Sequence, residues 1–196
     1  MIQYKNRFIL ASQRIEVAPM ELWDLYDENR QPLGEVHNRE DCLRTGEYHI
    51  AVSVWTVNSR GEILLTLRHP GKKEYPNYWE NTAGSVITGE TSTQGAVREL
   101  FEETGISALE KELLFLGTEN EPTAFVDSYI LKKDMSITDL KMQAGETVAA
   151  KWVSIEELDE LIAAGSIALP VAKRLERIRG KFEDFLQKNN TVTNEK

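Results

Sequence analysis

Cysteine is nearly missing from this chain of 196 residues: Cys42 stands alone. A single thiol cannot close an internal disulfide or build a cysteine-based zinc cluster, so neither scaffold is expected. Long apolar runs are missing too. Nothing approaches the ~20 residues of a membrane-spanning helix. Near the N-terminus only Phe8-Ile9-Leu10-Ala11 is continuously apolar, too short for the core of a signal peptide. Positive charge is in the minority: 23 Lys and Arg against 32 Asp and Glu give a net charge of −9. A nucleic-acid backbone asks for a basic surface, so neither nucleic acid nor membrane is an expected partner, and the cytoplasm is the expected location. A small phosphorylated ligand stays open, because metal ions can build a local anion site on an acidic protein. What is present is ordinary globular composition, 41% hydrophobic and 28% charged, at a length suited to one domain.

The chain carries no repeats and no low-complexity tracts. Residues 1–19 read as an N-terminal extension, 20–188 as the domain and 189–196 as a frayed tail. Glu21 to Tyr26 alternates polar and apolar residues and predicts a strand that returns over Leu33–Val36 as a hairpin. His49–Val57 is rich in β-branched residues and predicts a buried strand. Asn58-Ser59-Arg60-Gly61 is a turn, after which Glu62–Leu67 is expected to pair back. Residues 69–82, with Pro70, Gly71, Pro76 and Asn77, read as a loop. Further strands are expected over Lys111–Thr118, Ala124–Leu131 and Val148–Val153. A helix should start at Ser154 with a Ser-Ile-Glu-Glu capping box, and a last amphipathic helix should cover Leu169–Gln187.

Gly84 to Ile106, GSVITGETSTQGAVRELFEETGI, is the segment that carries chemistry. Thr91 and Gln94 form a T-x-x-Q capping box for a helix over 92–104, and Gly105 stands where a left-handed residue ends one. At about 100° per residue, Glu102 and Glu103 flank Glu99, so three carboxylates share a face, while Val97, Leu100, Phe101 and Thr104 fall opposite and should pack on a sheet. Like charges one turn apart destabilise a helix by a few tenths of a kcal/mol. Either the face is solvated, or a hard divalent cation such as Mg²⁺ or Mn²⁺ sits among the oxygens.

The wider spacing separates these readings. Gly84, Glu90, Arg98-Glu99-Leu100, Glu102-Glu103 and Gly105-Ile106 match every specified position of G-x5-E-x7-R-E-U-x-E-E-x-G-U, where U is a bulky aliphatic. Seven fixed residues at ~7% usage coincide by chance about 10⁻⁸ of the time per start position, too rarely for an accidental acidic face. The segment resembles a complete Nudix box, and a looser resemblance runs from His49 to Leu158. That resemblance implies an α/β fold, an α/β/α sandwich with a mixed sheet, here with an N-terminal β-hairpin extension and a C-terminal helix. It implies that Glu99, Glu102 and Glu103, with the carbonyl near Gly84, bind Mg²⁺ or Mn²⁺. It makes Glu90, Arg98 and Gly105 structural within the box. The implied activity is hydrolysis of a diphosphate linkage in a nucleoside di- or triphosphate or another nucleoside diphosphate derivative. The base is a box glutamate in some relatives and a loop glutamate in others; Glu102, Glu103 and Glu146 are the candidates.

Two other functions share this fold. The framing Glu21–Glu28 and Gly46-x-Tyr48-His49 resembles the subgroup near isopentenyl diphosphate isomerase. That enzyme has a reactive cysteine before the box, where this chain has Ala83. Non-catalytic nucleotide or ADP-ribose sensors are the other alternative, and those commonly have eroded boxes. Beyond the box, Arg68, Lys72 and Lys73 are candidates to hold substrate phosphates, and Trp79 to stack on a base. Specificity is expected from loops around 69–80 and 119–125. The hairpin and the last helix are candidate faces of a homodimer.

Overall fold

A computed structural model describes residues 21–190. The extension read over 1–19 lies outside the described residues, as does the tail from 191. Strands β1 (Leu22–Tyr26) and β2 (Pro32–Asn38) form a hairpin. The main sheet contains β3 (His49–Val57), β4 (Ile63–Arg68), β5 (Trp79–Glu80), β6 (Thr82–Ser85), β7 (Leu114–Glu121), β8 (Ala124–Lys132) and β9 (Thr147–Val153). The helices are α1 (Ser92–Thr104), α2 (Ile155–Ala163) and α3 (Leu169–Asn190). The parallel pair β3–β8 forms the centre of the sheet, which explains why both strands are apolar and buried along nearly their whole length.

One helix covers one face and two cover the other. Alternation along β3 and β4 sends Val52, Val54 and Leu64 toward Ala96 and Leu100 of α1. It sends Trp55, Val57, Ile63 and Leu65 toward Val171, Leu175 and Phe182 of α3. The α3 residues Val171, Leu175, Phe182 and Leu186 follow helical spacing, and all four are buried. The expected α/β/α sandwich with a mixed sheet, hairpin extension and C-terminal helix is what the chain forms.

The return of β4 along β3 is the main departure from expectation. The two strands pair only at Val57–Ile63, then splay. The segment 79–85 crosses the opening, pairing first with β4 through Trp79 and Glu80, then with β3 through Thr82 to Ser85. At the crossing Asn81, buried, donates from Nδ2 to Ser53 Oγ at 2.8 Å. Pairing of β4 with β9 along its other edge holds it in the splayed position. The segment expected to be loop through 82 thus ends as strand.

Smaller corrections have local causes. Phe101 is 53% exposed, not packed on the sheet. The buried arc of α1 contains Gly95, Ala96, Leu100, Glu103 and Thr104, and Phe101 lies about 100° round from its centre. Residues 110–112 form a short 3₁₀ turn rather than strand, closed by the Glu112 carboxylate accepting from the Leu109 amide at 2.6 Å. Ser154 caps α2 by accepting from Glu157 N, but Glu157 turns its own carboxylate to Lys151 at 2.9 Å, so the capping box is half made. Helix α3 continues to Asn190, three residues past the expected end at Gln187, and Asn189 Nδ2 donates to the Phe185 carbonyl at 2.8 Å.

Candidate active site

Both ends of α1 are fixed by its own sequence. Thr91 Oγ1 accepts from Gln94 N at 3.2 Å, and Gln94 Oε1 accepts from Thr91 N at 2.9 Å, completing the capping box. Gly105, at φ +74°, ends the helix in the left-handed region. The helix lies along β6 so closely that a Cβ on Gly84 would fall 2.0 Å from Glu99 Cδ. Only glycine at 84 leaves Glu99 its place against the strand.

Arg98 gathers the acids of the box. Its Nε and Nη2 reach the two oxygens of Glu90 at 2.8 and 3.0 Å, and Nη2 also donates to the Ser85 carbonyl at 2.8 Å. Its Nη1 reaches Glu99 at 2.9 Å and Glu102 at 3.1 Å. The guanidinium therefore ties the loop after β6 to the middle of α1. Glu99 is largely buried. That burial raises its pKa, and Arg98 partly offsets the rise.

Glu103 is different. It lies in the buried arc, 9% exposed, and its Oε2 has no hydrogen-bond partner. Burial, and then the charges of Glu80, Glu99 and Glu146, push its pKa well above the ordinary carboxylate range, against a hydrogen bond from the Ala83 backbone. Glu80 is the residue that sequence reading missed. Alternation along 79–85 puts Glu80 and Gly84 on the α1 face and Trp79 on the α3 face. Burial raises the pKa of Glu80 as well, opposed by Arg68. An acid directly after a strand tryptophan is a weak signal, and its meaning depends on the crossing of the sheet.

The cations outside the box already have partners. Arg68 Nη1 reaches both oxygens of Glu80 at 2.9 and 2.6 Å, while Nε and Nη2 donate to the Glu74 carbonyl at 3.1 and 3.0 Å. Lys72 pairs with Glu146, which the chain brings back from far along the sequence. Lys73 is exposed. Trp79 packs on the α3-side core with the Lys151 ammonium 4.8 Å from its ring centroid, so it is not brought to the carboxylates. Tyr75 and Glu119–Pro122, from the two stretches expected to set specificity, meet Arg174 of α3 around a cavity of about 470 Å³. Cys42 is exposed in the segment after β2.

Among the described residues, no three His, Cys, Asp or Glu side chains are already arranged to hold a metal ion. The acids are turned to Arg68, Lys72 and Arg98 instead. The donor set nevertheless fits a hard divalent cation. All the donors are oxygens. The six carboxylates Glu80, Glu90, Glu99, Glu102, Glu103 and Glu146 outnumber the cations around them, which are those three and Arg39, itself paired with a further acid, Glu21; the buried Glu103 Oε2 is unpaired. The residues that would hold the ion are Glu99 and Glu103, with Glu102 beside them.

Comparison with known proteins places this architecture. The NUDIX domain profile matches residues 47–175. An uncharacterized Nudix hydrolase of Listeria monocytogenes is 37% identical over 147 residues, covering 74% of this chain and 87% of its own length. The chain belongs to the Nudix hydrolase family. The isopentenyl-diphosphate Delta-isomerase of Corynebacterium diphtheriae is 36% identical over 89 residues, covering 45% of this chain and 49% of that enzyme. The crystal structure of DR0079 from Deinococcus radiodurans shares the fold, with a TM-score of 0.65 and 24% identity over 81% of this chain and 98% of that one. No described helix is long and apolar enough to cross a membrane.

Proposed function

We propose that this enzyme cleaves the diphosphate linkage of a nucleoside di- or triphosphate, or of another nucleoside diphosphate derivative, with Mg²⁺ or Mn²⁺ at the box. The observation that carries this reading is Glu103: a buried carboxylate with one free oxygen, surrounded by acids in excess of bases. When bound, the divalent ion supplies charge neutralisation at the phosphate and a lowered pKa for water. Glu99 and Glu103 hold it. Glu102, about half exposed, and Glu146, about one-third exposed, are the carboxylates that water reaches, and one of them takes the proton of the attacking water. Glu90 and Arg98 keep the box in shape. Lys72 and Lys73 meet the phosphates from the loop after β4.

Isomerase chemistry would ask for the thiol before the box. The only cysteine is exposed and elsewhere, which favours hydrolysis. The reading includes a cytoplasmic location, a small-molecule partner rather than nucleic acid or membrane, and a homodimer through the hairpin and α3. The test is phosphate release from nucleoside di- and triphosphates, nucleotide sugars and ADP-ribose, with isopentenyl diphosphate as a control. Release from a nucleotide that stops in excess EDTA and returns with Mg²⁺ or Mn²⁺ is expected. Full activity in EDTA overturns the metal assignment.

A further inference from the structure

Glu80 belongs to no position of the box, yet it shares the α1 face with Glu99 and Glu103. It is 9% exposed, and the only hydrogen-bonding partner of its carboxylate among the described residues is Arg68. Arg68 in turn spends four of its five N–H groups: two on Glu80 and two on the Glu74 carbonyl. One N–H remains for a phosphate. An arginine so engaged cannot grip a phosphate in the two-pronged manner that makes guanidinium groups strong anion binders. On the other side of the opening, Glu103 Oε2 is buried without a donor, and Lys72 occupies Glu146 in the same way that Arg68 occupies Glu80. Each non-box acid facing Glu103 is thus held by a base that is itself suited to phosphate.

We propose that Glu80 is a ligand for a divalent cation shared with Glu103, and that Arg68 is its placeholder: loading the ion frees Arg68 Nη1 from Glu80 and turns it toward the substrate phosphate. The proposal rests on the reading of the box as a metal site and adds to it a carboxylate outside the box. Arg68 then changes partner once per metal-loading event. Without the ion it neutralises Glu80, and with the ion it presents two further N–H groups. The same pairing explains how three acids remain together under an α-helix before any metal arrives.

The test is Mn²⁺ binding to the full chain, followed by calorimetry and by the electron paramagnetic resonance signal of free Mn²⁺, for the wild type, Glu80→Gln, Arg68→Gln and Glu99→Gln. Loss of a ligand should weaken Mn²⁺ binding by about tenfold or more in Glu80→Gln. Arg68→Gln should bind Mn²⁺ at least as tightly as the wild type, because no base competes for Glu80. A role confined to holding the loop would shift both variants in the same direction. Mn²⁺ affinity of Glu80→Gln within twofold of wild type, or equal weakening in Arg68→Gln, overturns the proposal. If Glu80→Gln does not fold, the uncharged pair Arg68→Gln/Glu80→Gln compared with Arg68→Gln carries the same test, since the double variant should lose Mn²⁺ affinity. Weak binding in Glu99→Gln with unchanged binding in Glu80→Gln would overturn this proposal and leave the box reading standing. Unchanged binding in Glu99→Gln would overturn the box reading itself.

Discussion

Helix α1 has a buried carboxylate at each end, and the two are treated in opposite ways. Near its N-terminus Asp127, 2% exposed, accepts four hydrogen bonds. Arg30 Nη1 and Nη2 supply two, at 2.8 and 2.5 Å, and Ser92 and Thr118 hydroxyls supply the others, at 2.5 and 2.6 Å. Near its C-terminus Glu103 has a backbone hydrogen bond from Ala83, an unpaired oxygen and three other acids around it. A buried charge that is fully paired holds elements together, here the β1–β2 turn, β7, β8 and α1. A buried charge left incomplete costs stability in the free protein, and an unsatisfied group of this kind calls for a partner the chain does not supply. Burial alone therefore does not distinguish these two acids; the completeness of their hydrogen bonding does.

The comparison breaks most visibly at Glu103. Glu103→Gln should lower turnover on a verified substrate by about 10²-fold or more, because a charged ligand of the ion is lost and even outer-shell partners of a metal site cost about 10–100-fold. Its metal-free melting temperature should stay level or rise, since a repelled charge is gone. Wild-type turnover in this variant would make Glu103 as structural as Asp127. Next in size is Asp127→Ala. Removing one partner of a buried ion pair costs about 3–5 kcal/mol, and the lower end applies because Arg30 keeps a third of its side chain exposed. At about 2–4 °C per kcal/mol for a chain of this length, thermal unfolding should show a drop of roughly 6–12 °C, while Mn²⁺ affinity of the folded protein holds. A normal melting temperature with lost Mn²⁺ binding would reverse the two roles.

The smallest effect is in pH. The folded-state pKa of Glu103 lies above its ordinary 4.5. Above pH 4.5 the folded chain keeps a proton that the unfolded chain releases. Its contribution is full below that pH and is lost as pH rises through the folded value. Glu103→Gln has no such loss. Denaturant midpoints of the two metal-free proteins from pH 4.5 upward should diverge, with the variant gaining on the wild type. A constant difference would show that Glu103 titrates normally.

The parts of the site legible in the sequence are those made by near neighbours. The caps Thr91, Gln94 and Gly105, and the Arg98 contacts with Glu90, Glu99 and Glu102, lie within one loop and one helix, where spacing translates into geometry. The layers were legible because the β-branched run of β3 and the stripe of α3 have clear periods. Glu80 was not legible. Its face depends on β4 leaving β3 after one pair, which depends on β9, a partner far along the chain that no local pattern shows. Trp79 was a candidate to stack on a base and instead has Lys151 over its ring, for the same reason. Arg68 and Lys72 were read as free cations because nothing local shows that Glu80 and Glu146 come to meet them.

The stretch from Trp79 to Ser85 is stitched to β4 at its beginning and to β3 at its end. Side chains alternate along it, so one inserted or deleted residue would send the tryptophan toward the carboxylates or the carboxylate into the apolar layer. The loop just before it can lengthen or shorten over generations with little penalty. Inheritance can thus remodel residues 69–78, while the seven that follow can be exchanged one for another but never recounted.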